Sequence, residues 1–495
     1  MKKIFPSLII LASVIIIGLT NCSSKAEYPN IIFILADDLG YGDPGCYNAG
    51  SKIPTPNIDK LASQGMMFTD AHTPSTVCSP TRYAVLTGRY AWREPRLIKN
   101  VLRANDKPVI ETERKTVADL LKEKGYQTAA VGKWHLGLQW QLIDPDKPVS
   151  VSNIDWSKPQ LSGIREQGFD YTFSLGRPAW TFTENGVALA KPVEKFDLYK
   201  IGPHLIGPNN INGYRAPDYE HEKMLPVFTQ KAVEFIKNRS GSKKPFFLYF
   251  TPMCPHKPVV PNKKYIGQSE AGLYGDFVTE LDHSVGQILN ALDNASASDN
   301  TLIFFTSDNG PEKTAYERIN KTNHYSMDGL RGVKRDLWEG GHRIPFIVRW
   351  PGKIPASSVN HETICLVDFM ATIAAITGYD LSAADCEDSY NILPALLGEK
   401  SESPLRDAIV HHAPNADLAI RKGVWVFIDA ASGDISDEPA WFREALGAGE
   451  HHEEKELFNL AEDPQQIINL YSSFPGKAEE LRNELVKIIN GHQLH

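Results

Sequence analysis

Several short stretches of this chain gather side chains that could act on an anion. Cys78-Ser79-Pro80-Thr81-Arg82 sets a thiol four residues ahead of a guanidinium and runs on to Leu86-Thr87-Gly88-Arg89. Gly132-Lys133-Trp134-His135 carries an ammonium and an imidazole two residues apart. Carboxylates come as Asp37-Asp38 and, beside an amide, as Asp308-Asn309; His256 precedes a Lys-Pro pair, and Lys334 follows Gly332-Val333. Each stretch alone has an ordinary structural explanation. Cys78 can be a loop cysteine entering a helix with Arg82 on a solvated face, and paired aspartates after a strand serve as a turn or helix cap. Asp308-Asn309-Gly310 is a type I′ turn signal. Lys133 alone reads as surface charge, His135 as a satisfied structural imidazole, and His256 as a loop residue.

The elements that must position these groups alternate in type. Asn30–Ala36 is a continuous apolar run, the mark of a strand buried on both faces of a parallel sheet. Residues 128–131, 246–250, 302–305 and 344–348 read as further strands. Residues 55–65 read as a helix, with Thr55 as cap, Pro56 at the first position and Gly65 as stop; residues 116–124 and 277–292 follow suit. Strands alternating with helices imply an α/β layer fold around a large, mostly parallel sheet sandwiched by helices. In such folds ligands sit beyond the carboxyl ends of strands. Asp37-Asp38, Cys254-Pro255-His256 and Ser307-Asp308-Asn309 all fall there. From about residue 399 the texture changes to a hairpin strand at 419–427 and a terminal amphipathic helix at 477–489, a smaller C-terminal α+β domain over 399–495. The catalytic unit is then 27–398.

A chain of 495 residues with 42% hydrophobic and 23% charged residues is an ordinary globular composition. Its formal net charge of -8, with no long basic run, gives no reason to expect nucleic acid. An anionic substrate must therefore meet locally placed Lys, Arg, His or metal. Residues 1–22 read as an export signal: Lys2 and Lys3, then an apolar run too short for a confident span. Leu19-Thr20-Asn21-Cys22 resembles a bacterial lipoprotein cleavage box, which makes Cys22 a lipidation point and the location periplasmic or outer-membrane-anchored in a Gram-negative bacterium; Asn21 departs from the usual small residue. Cys46, Cys254, Cys365 and Cys386 show no zinc spacing and read as buried or incidental thiols, with a Cys365–Cys386 bridge left open.

The segment from Cys78 to Arg89 resembles the signature of type I, formylglycine-dependent sulfatases, Cys-x-Pro-x-Arg followed by Leu-Thr-Gly-Arg. Gly125-Tyr126-Gln127-Thr128-Ala129-Ala130-Val131-Gly132-Lys133-Trp134-His135 is similar to the family's second pattern, in the same order. The likeness extends through the opening strand, Thr306 to Gly310, Gly332 to Lys334, Glu339 to Pro345 and Leu460 to Pro464; residues 162–220 have no counterpart and suit a variable substrate-facing insertion. The resemblance implies an alkaline-phosphatase-like fold and hydrolysis of sulfate esters.

It also implies a set of roles. A formylglycine-generating enzyme oxidises Cys78 to an aldehyde whose hydrate attacks sulfur; the second hydroxyl then lets sulfate leave by elimination, an exit closed to plain Ser or Cys. Asp37, Asp38, Asp308 and Asn309 resemble the ligands of one Ca2+, with modified Cys78 beside them. Asp308 is also a candidate acceptor for the hydrate's proton. Arg82 and Lys133 hold the hydrate and sulfate oxygens, Lys334 clamps sulfate from the opposite side, His135 is a base in sulfate release, and His256 protonates the leaving alcohol. His342 and Glu339 are expected to be structural. A sulfated sugar of a host or algal glycan is the expected substrate, with Arg177, Trp180, His204 and Arg215 as possible sugar contacts. The competing readings are a phosphatase or phosphodiesterase of similar fold, a non-catalytic lipoprotein that binds sulfated glycans, and a scaffold subunit with structural Ca2+.

Overall fold

The apolar run at Asn30 forms β1 (Asn30–Ala36), whose side chains alternate between two cores. Ile31, Phe33 and Leu35 enter one, while Ile32, Ile34 and Ala36 enter the other. A strand with water on neither face must lie inside a covered sheet. The structure is a computed structural model that describes residues 28–99, 101–197, 213–239, 241–382, 384–400, 402–449 and 452–491. Cys22 and His204 lie outside the described residues.

Ten strands form the main sheet. After β1 come β2 (Met66–Phe68), β3 (Gln127–Gly132), β4 (Tyr171–Leu175), β5 (Phe182–Glu184), β6 (Val187–Ala188), β7 (Phe246–Thr251), β8 (Thr301–Ser307), β9 (Phe346–Arg349) and β10 (Ser358–Asn360). Their spatial order is β10-β2-β9-β8-β1-β7-β3-β4-β5-β6. The central strands β8, β1, β7, β3 and β4 are mutually parallel, as the sequence leads one to expect. The flanks are not: β9 runs antiparallel to β8 and to β2, and β5 antiparallel to β4, which makes the sheet mixed. In the parallel centre, every strand delivers its carboxyl end to the same rim.

Helices cover both faces. α1 (Pro56–Ser63), α4 (Met224–Lys237) and α5 (Gly272–Asn294) send Leu61, Phe228 and Leu281 into one core. α2 (Cys78–Thr87), α3 (Val117–Glu123) and α6 (Phe369–Thr377) send Val85, Leu120 and Ile373 into the other. α3 begins at Thr116, whose hydroxyl accepts from the Asp119 amide at 3.2 Å while Asp119 accepts from the Thr116 amide at 3.0 Å, a reciprocal capping box.

The C-terminal part forms a separate four-stranded antiparallel sheet, β11 (Ile409–His412), β12 (Leu418–Lys422), β13 (Trp425–Ile428) and β14 (Glu456–Asn459), followed by α7 (Pro475–Asn490). The run at 419–427 is thus two strands around Gly423, whose φ of 58° makes the tight reversal. Arg421 on β12 forks onto Asp70, with both contacts at 2.7 Å, and docks this sheet onto the main domain. Cys365 and Cys386 are both free thiols, so the bridge left open by the sequence does not form. No helix among the described residues is long and apolar enough to cross a membrane.

Candidate active site

Two strand ends meet at the rim. β1 and β8 pair in register up to Ala36 opposite Ser307, so the residues that follow arrive side by side. The Asp308 amide donates to the Ala36 carbonyl at 3.1 Å, and the Asp38 amide donates to Asp308 Oδ1 at 3.2 Å. Asp38 takes a φ of 68°, a left-handed conformation uncommon for a residue with a side chain. Asp308-Asn309-Gly310 makes no hairpin. A Cβ on Gly310 would sit 2.0 Å from the Gly340 carbonyl oxygen, so glycine lets the Glu339–His342 turn pack against the strand end.

Around these carboxylates stand three cations from three other segments. α2 is buried along its whole length, and Arg82 lies one turn from Cys78 on the same face. Its Nε donates to Asp308 Oδ2 at 2.9 Å, a second nitrogen lies 2.7 Å from the same oxygen, and Nη1 reaches the Lys133 carbonyl at 3.0 Å. β3 ends at Gly132, where φ is 121° and a Cβ would meet the Thr251 carbonyl at 2.1 Å; the next residue, Lys133, contacts both Asp37 oxygens at 2.9 and 2.7 Å. Lys334 donates to Asp38 Oδ1. Three carboxylates thus face three cations, each carboxylate with a cation beside it.

Burial opposes the charge of Asp37, yet Lys133, Arg82 and Lys334 hold it well below the usual carboxylate range. Asp308 moves the other way, raised by burial and then by the charge of Asp37. Within this cluster two buried acceptors have no hydrogen-bond partner, Asp38 Oδ2 and Asn309 Oδ1. The Asn309 amide nitrogen already donates to Asp38 Oδ1 at 2.7 Å, so its oxygen is the end left over. Asp37, Asp38 and His256 form one group with ligand atoms within 4.8 Å of one another; Asp37, Cys78 and Asp308 form a second. Hard oxygens, mostly anionic and partly unpartnered, fit a divalent cation of the calcium type.

The imidazoles have assignable protons. His135 Nε2 lies 2.9 Å from the Leu102 carbonyl, which can only accept, so Nε2 carries the hydrogen and Nδ1 offers its lone pair to Cys78 Sγ at 3.3 Å. Burial, then Lys133 and Arg82, keeps His135 well below the usual imidazole value and therefore neutral. His256 Nδ1 bonds the Lys257 carbonyl, which leaves Nε2 facing Asp38 Oδ2 at 3.8 Å; burial pushes this ring down to about 4.

Lys133, His135 and His256 line a cleft of about 330 Å³ together with Arg177 and Trp180 from the 162–220 stretch. Cys78 is 2% exposed and meets the cleft through His135. Arg215 does not belong to the lining: its Nε is paired with Glu194 at 2.9 Å, because two short strands bring these residues opposite each other. Glu339 and His342 also stay away from the cleft, in a buried network with Arg343 and His72. Sequence reasoning missed Glu312, which holds Arg335 at 2.7 and 3.0 Å and Lys257 at 3.2 Å. The only available signal was adjacency, since these three follow closely on Asp308, Lys334 and His256.

A sheet-end pocket that gathers cations around an oxygen cluster suits an enzyme acting on anionic esters. The Sulfatase family model matches residues 29–379, and this chain belongs to that family: it is a sulfuric ester hydrolase. An N-acetylgalactosamine-6-O-sulfatase of Bacteroides thetaiotaomicron is 35% identical over 95% of this chain and 96% of its own length. Human arylsulfatase A is 30% identical over 96% and 89%. A solved structure from work on glycosaminoglycan metabolism by Bacteroides thetaiotaomicron superposes with a TM-score of 0.78 at 34% identity, covering 94% of this chain and 99% of that chain.

Removing Arg82 leaves Asp308 buried beside Asp37 without its fork. Arg82→Leu should lower the unfolding free energy by about 3–5 kcal/mol in urea denaturation. A variant as stable as the parent would show that Arg82 does not hold the strand ends together.

Proposed function

We propose that this sulfatase removes an O-sulfate from a sugar, with residue 78 converted to formylglycine by a formylglycine-generating enzyme and one Ca2+ held by Asp37, Asp38, Asp308 and Asn309. The observation that carries this reading is the meeting of Cys78, Asp37 and Asp308 within one buried cluster beside the unpartnered Asp38 and Asn309 oxygens. The sugar is suggested by the 35% identical relative that acts on N-acetylgalactosamine 6-sulfate, which makes that ester the first substrate to test. Export is part of the same proposal: residues 1–22 would direct it, with Cys22 as a lipid attachment point that would keep the enzyme near polymeric substrate.

Bound calcium would neutralise carboxylate charge and polarise a sulfate oxygen. Formylglycine would supply a hydrated aldehyde as nucleophile, with a second hydroxyl that allows sulfate to depart. The other residues act around them. Arg82, Lys133 and Lys334 are fixed cations that need no rearrangement as negative charge gathers on the transferred group. Neutral His135 presents Nδ1 to the side chain of residue 78, where it can take a proton. His256 is neutral at rest; the charge of an arriving sulfate favours protonation at Nε2, from which the proton can pass to the leaving alcohol oxygen.

Sulfate release from N-acetylgalactosamine 6-sulfate, measured on protein whose residue 78 has been checked by peptide mass, tests the proposal. Cys78→Ala should bring turnover to background while the fold persists, and equal activity in mutant and parent would end the nucleophile assignment. His256→Ala should slow sulfated sugars more than activated aryl sulfates, because a phenolate needs no proton to leave. Equal loss on both would remove the general-acid role.

A further inference from the structure

The described residues that line the cleft include no carboxylate, although the chain as a whole carries a net charge of -8. They include four cations, Arg103, Lys133, Arg177 and Lys257. Lys133 is matched by Asp37 at 2.7 Å and Lys257 by Glu312 at 3.2 Å. The two guanidiniums are not matched. Arg103 is exposed, so water screens it. Arg177 is in a different position: its guanidinium sits over the buried Trp180 ring at 4.5 Å and makes no hydrogen bond or ion pair with any described residue. Burial lowers its pKa, and Tyr219 is the one neighbour acting in the opposite sense.

A partly desolvated charge without a partner is costly, and a fold ordinarily supplies a counter-ion. In the same stretch Arg215 has one, in Glu194 at 2.9 Å. Arg177 is held in place without one: its own carbonyl accepts from Trp140 Nε1 at 2.8 Å, and Trp180 supports its plane from beneath. In the function proposed above, the sulfate being cleaved is met by Lys133, Lys334 and His256, and Arg177 has no part in that step. We infer that Arg177, with Arg103 nearby on the cleft wall, forms a subsite for a second oxyanion of the substrate, so that the preferred sugar carries two negative groups. A planar guanidinium accepts a carboxylate or a sulfate through two parallel hydrogen bonds, so a second sulfate ester and a neighbouring uronate are its two chemical sources. This inference rests on the sugar sulfatase reading above.

The test compares kcat/KM on three substrates: N-acetylgalactosamine 6-sulfate, its 4,6-disulfate, and a disaccharide joining a uronic acid to the 6-sulfated sugar. The parent should favour one of the doubly charged substrates, and which one identifies the source. Arg177→Leu should cut kcat/KM on that substrate about tenfold to a hundredfold more than on the singly sulfated sugar, mostly through KM, and Arg177→Lys should restore part of the difference. The ratio between substrates is insensitive to a variant that is merely less well folded. No preference in the parent, or an equal loss on all three sugars in Arg177→Leu, would overturn the subsite and leave Arg177 a packing partner of Trp180. A parent with oxidised residue 78 that releases sulfate from none of the three would instead defeat the sugar sulfatase reading itself.

Discussion

Asp37, Asp38 and Asp308 are collected where two neighbouring strands end, in a place with almost no water. Left to themselves they would repel and take up protons, since a buried carboxylate loses its hydration and gains the field of its neighbours. They coexist because Arg82 on α2, Lys133 beyond β3 and Lys334 on a later loop each bring a positive charge to one of them. Those cations come from distant points in sequence, so the cluster exists only when the parallel centre of the sheet is complete. The continuous apolar β1, the glycines that allow close approach at Gly132 and Gly310, and the burial of all of α2 serve that end. Residue 78 then sits at the first turn of α2, against a neutral imidazole.

The same arrangement separates two kinds of positive charge. Arg82, Lys133 and Lys334 are each paired with a carboxylate. Arg177, out on the cleft wall, has no acid among the described residues. A chain of net negative charge thus offers an anion a cleft whose described lining has no carboxylate, so local placement rather than net charge governs what can enter.

Much of this was legible in the residues. β1 announces itself because a strand covered on both faces reads as a near-continuous apolar run, and α3 because the run from Thr116 to Lys124 is stopped by Gly125. The clusters after 36, 253 and 306 mark the rim because parallel strands share a direction. Less legible was whatever depends on pairing across the chain. β9 is buried and mostly apolar like the parallel strands of the centre, and nothing in its own residues says that it runs antiparallel to β8 and β2. Arg177 and Arg215 look alike in sequence; one borders the cleft and the other does not, because Glu194 happens to lie opposite Arg215. Asp308-Asn309-Gly310 has the composition of a hairpin turn, but its glycine is there for the Gly340 carbonyl. Glu312 gives no local sign that it ties Lys257 to Arg335, since an ion pair between loops has no period.

The cation site proposed for the unpartnered oxygens of Asp38 and Asn309, formed with Asp37 and Asp308, has a thermodynamic signature. Its most direct test is the stability of chelator-stripped protein against calcium concentration, followed by thermal melting in parent and Asp38→Asn. Calcium should raise the parent's melting temperature in step with the logarithm of its concentration once above Kd, by an amount equivalent to about 2.7 kcal/mol at a hundredfold excess over Kd, with a markedly weaker response in the variant. A parent whose melting curve ignores calcium, and whose sulfate release is undiminished after stripping, would contradict it.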